Sequence, residues 1–227
     1  MKRFFILLKK TFPNFVSVTI IYELEKYLSG CKRIADVGCG DASPLRFLEN
    51  KYFTLGIDGH KDSISTSKKN KIHNEYIIGD IKKLKKLVKK KSYDAAVALD
   101  VIEHLNKKDG YKLLDDMEGI ARKSVVILTP NGFVPQFNKD NKLQEHLSSW
   151  SVDDFLKKGY KVQGIYGTKF CNIFRNEDAT LKFKPRFFWG LVWAILVLIT
   201  HYSYTRDHPE YSIGLLATKI LPKFLGN

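Results

Sequence analysis

The sequence predicts an α/β fold in which a parallel sheet is covered by helices. Between residues 33 and 128, short apolar runs alternate with longer segments of helical periodicity, which is the order that consecutive strand and helix units produce. The chain has 227 residues, of which 44% are hydrophobic. That is enough apolar material for one sizeable core, whereas two full domains would each be small. We therefore expect a single domain.

The predicted elements can be placed in chain order. An N-terminal helical segment ends near residues 27–30, and the first five strand candidates are Arg33–Val37, Thr54–Asp58, Glu75–Ile78, Ala95–Leu99 and Ser124–Leu128. The helical patterns between them cover Pro44–Asn50, Asp62–Lys71, Ile81–Lys90 and Gly110–Arg122. Residues 138–149 resemble a polar loop. Ser151 is then a plausible cap of a short helix, and the last two strand candidates are Lys161–Tyr166 and Ile213–Lys219.

Charge and cysteine content narrow the partners and the compartment. The formal net charge is +14, which favours anionic partners such as membrane surfaces, phosphates or nucleic acid. Seven lysines lie between Lys82 and Lys91, interleaved with apolar residues at helical spacing, as a solvated amphipathic helix would place them. The three cysteines are widely spaced and include no CxxC pair, so they indicate neither a disulfide framework nor a zinc site. We expect a cytoplasmic protein without a metal centre.

Two apolar segments bear on membrane association. The first, within Met1–Lys10, is shorter than the core of a secretion signal, and no small-residue cleavage site follows it. The second, Phe187–Thr205, carries no formal charge with His201 neutral and approaches the roughly 20 residues that a spanning helix needs. Spanning would separate the last strand candidate from its sheet. We therefore expect a buried helix, a lid over the substrate, or a helix in the plane of a membrane surface, flanked by basic residues.

The most specific local motif is the turn that follows the first strand. Gly38-Cys39-Gly40 comes directly after Arg33–Val37. Glycine allows a ligand to approach the backbone closely, and a following helix offers free amide hydrogens. The turn alone suits a nucleotide phosphate, a carboxylate or no ligand at all. A dinucleotide site would require a third glycine at the position of Ser43, which weakens the nicotinamide interpretation.

Acidic residues end the next strands at the same edge of the predicted sheet. Asp58 lies 18 positions beyond Gly40, a spacing at which a carboxylate accepts hydrogen bonds from ribose hydroxyls. Asp80 ends the third strand and can accept the exocyclic amine of adenine or cap the helix that follows. The fourth strand runs into residues 99–105, with the sequence LDVIEHL. Because ligands of open parallel sheets bind at the carboxyl ends of strands, we expect these motifs in one crevice.

In this ordered series the chain resembles the class I S-adenosylmethionine-dependent methyltransferases, in the branch that methylates small molecules, glycans or lipids. The motifs are DVGCG at 36–40, GID at 56–58, GDI at 79–81, LDVIEHL at 99–105, TPNG at 129–132 and HLSSW at 146–150. The resemblance covers residues 30–219. It implies a Rossmann-like three-layer sandwich with a seven-stranded, mostly parallel sheet and an antiparallel last strand. It also implies S-adenosylmethionine as the cofactor.

The resemblance further implies a set of cofactor-binding residues. The glycines of the first turn would lie against the methionine part, the carboxylate after the second strand against the ribose, and the pair after the third strand against adenine. Asp36 would support the turn and the methionine ammonium, and Leu99 would lie near the sulfonium. Ala42 departs from the family, because many members have a third glycine there. The full predicted set is Asp36, Gly38, Cys39, Gly40, Asp58, Gly59, Asp80, Ile81, Leu99 and Asp100.

Two histidines are the candidates for a catalytic base. Methyl transfer needs an electron-rich acceptor in line with the sulfonium methyl group, and positioning alone can supply much of the acceleration. His104 follows the fourth strand and His146 precedes the short helix, and histidine can take up a proton near neutral pH. Structural roles compete with this interpretation, since His104 can pack against its turn and His146 can tether its loop. Glu103 is a weaker candidate.

Two differences from enzymes that methylate nucleic-acid bases narrow the class of methyl acceptor. Enzymes that methylate base amines resemble one another in an Asn/Asp-Pro-Pro-Tyr turn, where this chain has residues 100–103 as Asp-Val-Ile-Glu. Cytosine-C5 enzymes use a cysteine that usually follows proline, and none of the three cysteines does so here. We therefore predict methylation of a small molecule, glycan or lipid-linked intermediate, with an anionic membrane surface as a further partner. A non-catalytic scaffold on the same fold and an RNA methyltransferase are the alternatives.

The predicted organisation divides the single domain into four parts. These are an N-terminal helical segment (1–29), a cofactor-binding core (30–170), an apolar insertion or lid (171–212), and the last strand with its tail (213–227).

Overall fold

Seven strands form one mixed sheet in the computed structural model, which describes residues 17–137, 141–175 and 182–222. The strands are β1 (Arg33–Val37), β2 (Phe53–Asp58), β3 (Glu75–Ile78), β4 (Tyr93–Leu99), β5 (Ala121–Pro130), β6 (Lys161–Thr168) and β7 (Ser212–Ile220). Their order across the sheet is β3-β2-β1-β4-β5-β7-β6. Strands β1 to β5 pair in parallel, and β7 is antiparallel to both β5 and β6. The predicted mostly parallel sheet with an antiparallel last strand is confirmed.

Helices pack on both faces of this sheet. They are α1 (Ser17–Tyr27), α2 (Lys61–Lys69), α3 (Leu84–Leu87), α4 (Lys107–Ile120), α5 (Val152–Leu156) and α6 (Arg186–Thr200), and a π-helical turn, His201–Thr205, continues α6. Side chains of β1 alternate between two buried clusters: Val37 belongs to the cluster that includes Leu113 of α4, and Ile34 to the one that includes Leu24 of α1. This alternation is the period of two expected for a strand covered on both sides. The apolar run within Met1–Lys10 lies outside the described residues.

Two predicted helices are shorter than the sequence pattern indicates. Pro44–Asn50 forms only a 3-10 turn, Pro44–Phe47, because the backbone becomes extended at Leu48 and the next amides donate to the carboxylate of Glu25. Ile81–Lys90 forms a 3-10 turn followed by the single turn of α3. Its lysines stand at neighbouring positions without the alternating charges that stabilise a short isolated helix.

The boundaries of α4 and α5 are set by their caps. The side-chain oxygen of Asn106 accepts a hydrogen bond from the amide of Asp109 at 2.9 Å, so α4 begins at Lys107 rather than at the predicted Gly110. The chain enters β5 directly at Ala121. Ser151 caps α5 as predicted, with its amide and hydroxyl both donating to the carboxylate of Asp154 at 2.8 Å.

The apolar segment between β6 and β7 forms α6 and packs against β6, the edge strand of the sheet. One row of its buried side chains recurs every fourth residue, at Trp193, Val197, His201 and Thr205. Glycine on β6 allows this approach, because a Cβ added to Gly167 would lie 2.9 Å from the Cα of Val197. Among the described residues, one helical stretch, Arg186–Thr205, is long and apolar enough to cross a membrane by length and composition.

Candidate active site

A pocket of about 720 Å³ opens at the carboxyl ends of the parallel strands β1 to β4. Its volume lies in the range of pockets that bind small molecules and cofactors. Every residue that the sequence predicts for cofactor binding lines this pocket, and so does His104. The structure thus brings into one crevice Asp36, Gly38, Cys39, Gly40, Asp58, Gly59, Asp80, Ile81, Leu99 and Asp100.

The turn after β1 requires glycine for its conformation. Gly38 and Gly40 have positive φ angles of 74° and 57°, a region that other residues enter only at a cost. The amides of Gly38 and Cys39 donate to the carbonyl oxygen of Ile57 at 2.7 and 3.0 Å, which ties the turn to β2. A Cβ added to Gly38 would lie 2.6 Å from a methyl group of Val101. The turn therefore passes Val101, in the segment after β4, too closely for a side chain at position 38 unless Val101 moves.

Asp58 connects the glycine turn to the segment after β2. One carboxylate oxygen accepts the amide of Gly40 at 2.9 Å, and the other accepts the amide of His60 at 2.7 Å. Each carboxylate oxygen has a second lone pair. The side chain can therefore hold the turn in place and still accept the hydroxyls of a ribose.

Asp36 lies buried beneath the same turn. Its carboxylate accepts the hydroxyl of Ser43 at 2.5 Å, and the Nε2 atom of His73 lies 3.5 Å away. Burial raises the pKa of Asp36 to about 7, against the opposing effect of the Ser43 hydrogen bond. Burial lowers the pKa of His73 to about 4, so this ring is neutral at neutral pH. A cationic group such as the methionine ammonium would favour the ionised form of Asp36.

Asp80 combines the two roles considered from the sequence. Its carboxylate accepts the amide of Lys82 at 2.9 Å and so caps the 3-10 turn after β3. The residue also lines the pocket beside Ile81. Capping fixes the side chain at the pocket wall, so the two interpretations are compatible.

The segment after β5 returns to the end of β4 and brings the two histidines together. The carbonyl oxygen of Glu103 accepts the amides of Leu147 and Ser148 at 2.8 and 3.1 Å. As a result, the rings of His104 and His146 lie with their centroids 4.8 Å apart in an edge-to-face arrangement. The short connection after β4 is turned toward this point by Asp100, which has a positive φ of 55°.

Backbone carbonyls orient both rings. The Nδ1 atom of His104 lies 3.2 Å from the carbonyl oxygen of Glu145, and that of His146 lies 2.5 Å from the carbonyl oxygen of Val134. Because a carbonyl oxygen can only accept, Nδ1 carries the hydrogen in each ring, and Nε2 carries the lone pair of the neutral form. Both histidines thus present Nε2 as a base or as a ligand atom.

Glu103 completes the cluster from the buried side. The residue is 2% exposed, and its Oε2 atom accepts the hydroxyl of Thr129 at 2.9 Å. Its Oε1 atom is buried without a hydrogen-bond partner within the described ranges. Burial raises the pKa of this carboxyl group, and the charge of Asp100 raises it further. An unpartnered buried carboxylate oxygen is costly unless a proton, a ligand or a cation satisfies it.

These three residues also form a ligand set that the sequence did not indicate. One nitrogen or oxygen atom from each of Glu103, His104 and His146 lies within 4.8 Å of the other two. Two imidazoles and one carboxylate are a common set for a divalent transition metal. The expectation of no metal site rests on the cysteine pattern alone, and His146 lies 42 positions beyond His104 in the chain. Only the hydrogen bonds from the backbone of residues 147 and 148 reveal the grouping.

The mouth of the pocket is covered by the loop after β5. Asn141, Leu143 and Gln144 line the pocket, and a Cβ added to Gly59 would lie 3.3 Å from the side chain of Leu143. Within the part of the chain that the structure describes, no lining residue comes from 171–212, the segment predicted from the sequence as an insertion or lid. The loop at 141–144 occupies the position of a lid instead.

Comparisons with known proteins agree with this architecture. Residues 35–134 match a protein-family model described as a methyltransferase domain. The chain is similar to a SAM-dependent methyltransferase from Archaeoglobus fulgidus, with 15% identity, a TM-score of 0.59, and coverage of 96% of this chain and 99% of that one. It is also similar to the plantazolicin methyltransferase BamL, solved with SAH and a triazolic desmethylPZN analog, with 17% identity, a TM-score of 0.55, and coverage of 92% and 85%.

One curated relative matches only part of this chain and part of its own length. It is a small RNA 2'-O-methyltransferase from Tetrahymena thermophila, 28% identical over 167 residues, which are 61% of this chain and 39% of that protein. The matched region thus spans well under half of the relative's length. The family match includes the glycine turn and the carboxylates at the ends of β2, β3 and β4. Residues 35–134 of the chain therefore match a methyltransferase domain, and the chain has the fold of S-adenosylmethionine-dependent methyltransferases of known structure.

Proposed function

We propose that this protein transfers the methyl group of S-adenosylmethionine to a hydroxyl oxygen of a small molecule, glycan or lipid-linked acceptor. The observation that carries the proposal is the cluster of Glu103, His104 and His146 at the end of β4, beside the pocket. A hydroxyl group must lose its proton as it is methylated, and a neutral imidazole can take that proton. The cluster therefore fits oxygen as the acceptor atom.

The reaction requires little beyond positioning and proton removal. The acceptor oxygen attacks the methyl carbon while the bond from carbon to sulfur breaks, and the sulfonium becomes a neutral thioether. The hydroxyl proton passes to Nε2 of His104 or His146. Burial lowers the pKa of His104, which keeps its ring neutral and able to accept. The pocket holds the two reactants in line.

A divalent cation is the second way in which the same residues can activate a hydroxyl. Glu103, His104 and His146 would hold the cation, and a cation at this position would lower the pKa of a bound hydroxyl group. The orphaned Oε1 atom of Glu103 supports this variant, because a cation would satisfy it. The mechanism with a histidine base and the mechanism with a cation give the same product, but only the second is sensitive to a chelator.

The pocket mouth supports an acceptor with an apolar part. The segment between β5 and α5, which carries His146, has several exposed apolar side chains, among them Phe133, Val134, Leu143 and Leu147. Leu143 also lines the pocket. Such a rim suits a lipid-linked or partly apolar molecule better than an extended polyanion.

RNA is the second candidate acceptor, and a specific observation favours it. The curated relative is named as a small RNA 2'-O-methyltransferase, and the net charge of +14 suits a polyanion. The acceptor atom would again be a hydroxyl oxygen. This candidate predicts binding that weakens steeply with salt.

The test is methyl transfer from labelled S-adenosylmethionine into extract of the source cells, separated into lipid, glycan, RNA and small-molecule pools. We expect the label in a lipid, glycan or small-molecule pool. It should be lost in the variant His104→Gln/His146→Gln, whereas His208→Gln, an exposed histidine outside the cluster, should retain it. Label found only in RNA would establish the second candidate. Cofactor binding without label in any pool would indicate a scaffold and contradict the proposal.

Calorimetry tests cofactor binding, and chelation separates the base mechanism from the cation mechanism. We expect Asp58→Ala to weaken cofactor binding by at least about tenfold, because the carboxylate holds the glycine turn and faces the ribose. Asp62→Ala, an exposed aspartate in the first turn of α2, is the matched control. Dialysis against a chelator should abolish transfer, and added Mn²⁺ should restore it, if the cluster works through a cation. Transfer that is unchanged by the chelator assigns the proton to the histidines alone.

A further inference from the structure

Helix α6 and its π-helical turn have a second face that the described part of the chain leaves uncovered. The side chains of Phe188, Leu191, Ile195, Ile199 and Tyr202 follow one another at intervals of three or four residues and are each between 39% and 57% exposed. Residues at this spacing form one stripe along a helix. At 1.5 Å per residue the stripe is about 21 Å long. No charged side chain occurs between Arg186 and Arg206.

The exposed stripe is not the face that holds α6 on the protein. That face is the buried row at Trp193, Val197, His201 and Thr205, which packs against β6. Only 22% of the most apolar 18-residue window of the helix is buried. A surface helix of a soluble domain normally carries polar residues opposite its docked face. Here both faces are apolar, and a long exposed apolar patch marks an interaction site.

We propose that the exposed face of α6 binds the surface of an anionic membrane, with the helix axis in the membrane plane. Exposed cations, Lys182, Lys184 and Arg186, lie immediately before the helix, where they complement anionic lipid headgroups. Aromatic side chains occupy both ends of the helix, Phe187 and Phe188 at one end and Tyr202 and Tyr204 at the other. Aromatic residues are enriched at the level of the headgroups.

The contact with β6 fixes the helix in the plane rather than across the membrane. A Cβ added to Gly164 would lie 2.0 Å from the carbonyl oxygen of Thr205, and one added to Gly167 would lie 2.9 Å from Val197. The backbones of α6 and β6 are thus in direct contact. A spanning helix would have to leave this contact and expose the polar side chains of His201 and Thr205 to lipid.

Membrane binding by α6 would bring the cofactor pocket close to the lipid surface. Strand β6 ends at Thr168 and β7 begins at Ser212, and these residues pair at the carboxyl edge of the sheet. The pocket opens at the same edge. This step rests on the proposed function, and it favours a lipid-linked acceptor. Binding to the membrane itself requires neither an acceptor nor methyl transfer.

Vesicle flotation of the full chain tests the binding. We expect the protein to float with vesicles of phosphatidylcholine and phosphatidylglycerol, and less with phosphatidylcholine alone. The variant Ile195→Ser/Ile199→Ser should lower the partition constant by at least about tenfold, because each side chain loses most of its apolar surface. The matched control is Ile220→Ser, which changes an exposed isoleucine at the end of β7. It should float like the original chain.

A charge-reversal pair tests the role of the basic residues. Lys182→Glu/Lys184→Glu/Arg186→Glu should lose the preference for anionic vesicles, whereas Lys69→Glu/Lys89→Glu/Lys90→Glu, with the same net change on other exposed positions, should keep it. Calorimetry with S-adenosylmethionine on every variant shows that the domain is folded and separates a failure here from a failure of the proposed function.

Three results would overturn the inference. The first is an unaltered chain that does not float with any vesicle, and the second is a matched pair whose members float equally well. The third is a dimer in light scattering that Ile195→Ser/Ile199→Ser dissociates, because the stripe would then bind a second copy of the chain.

Discussion

Asp36 is the residue at which cofactor binding and pH should be coupled. Burial raises its pKa to about 7, and the neighbouring His73 is neutral because burial lowers the pKa of that ring to about 4. The cationic cofactor should bind better when Asp36 is ionised. We therefore expect the affinity for S-adenosylmethionine to fall as the pH decreases below about 7, by up to about tenfold per unit.

Calorimetry between about pH 5.5 and 7.5 measures this dependence. Asp36→Asn should bind more weakly and with a flatter pH profile, and proton release on binding should disappear. A constant affinity of the original chain over this range would show that the cofactor does not draw on the ionisation of Asp36.

Gly38 is the residue at which the turn should tolerate substitution least. A Cβ at position 38 would lie 2.6 Å from a methyl group of Val101, at a φ of 74°. A Cβ at position 40 has no neighbour within 4 Å, so only its φ of 57° is unfavourable. We expect Gly40→Ala to lower the free energy of unfolding by about 1 kcal/mol and Gly38→Ala by more. Val101→Ala should relieve part of the clash.

Urea unfolding of Gly38→Ala, Val101→Ala and the double variant measures this coupling. The double variant should be more stable than the sum of the single effects by about 1 kcal/mol or more. If the two single effects on the free energy of unfolding simply add, the loss in Gly38→Ala comes from its backbone conformation alone and not from a clash with Val101.

At the scale of elements, Asp154 joins α5 to α4. Its carboxylate accepts Lys107 at 2.8 Å, Tyr111 at 2.7 Å and the cap residue Ser151 at 2.8 Å. Burial opposes ionisation, but these hydrogen bonds lower the pKa of Asp154 to about 2. Because the folded pKa lies below the ordinary value, the stabilisation is present above about pH 4 and is lost as the pH falls from about 4 to 2.

Asp154→Asn should therefore lower the free energy of unfolding at pH 7 by about 1 to 2 kcal/mol, a figure reduced for partial solvent screening. The difference should shrink toward pH 2. Urea unfolding at pH 7 and at pH 3 measures it, with Asp153→Asn, an exposed neighbour in the same turn, as the control. An equal loss at both pH values would assign the effect to packing rather than to ionisation.

Strands were easier to predict from the sequence than helices. Strand β4 contains a continuous apolar run between Asp94 and Asp100, and β1 is mostly apolar and is followed by Gly38, so the pattern predicts both strands within a few residues. The segments Pro44–Asn50 and Ile81–Lys90 show helical spacing, but the first forms only a 3-10 turn and the second a 3-10 turn followed by the single turn of α3. Contacts with distant residues determine the conformation of those segments, as the hydrogen bonds from the amides after Leu48 to Glu25 show.

At the scale of the whole molecule, the sequence predicts the pocket better than the cluster beside it. Asp58 and Asp80 each follow a strand, so the parallel order alone brings them to one edge. His146 reaches His104 only because a loop returns and binds the carbonyl oxygen of Glu103. Long-range contacts of this kind leave no periodicity in the sequence. The docking of α6 is hidden for the same reason, since it depends on glycines of β6 that carry no motif.

Gly167 provides the test of how α6 is joined to the molecule. A Cβ at this position would lie 2.6 Å from the hydroxyl of Thr200 and 2.9 Å from the backbone of Val197, at a φ of 73°. Gly159 has a nearly identical φ of 76°, but its nearest neighbour is the flexible end of Lys219 at 3.8 Å. The two glycines therefore differ in contact and not in conformation.

We expect Gly159→Ala to lower the free energy of unfolding by about 1 kcal/mol, the cost of the backbone conformation. Gly167→Ala should lower it by about 2 kcal/mol more, because α6 must move away from β6. Urea unfolding is followed by circular dichroism and by tryptophan fluorescence, to which Trp189 and Trp193 of α6 contribute together with Trp150 of the central core. If α6 belongs to the cooperative unit, the two signals change together in the unaltered chain. Equal losses in the two variants would show that α6 is not held against the sheet.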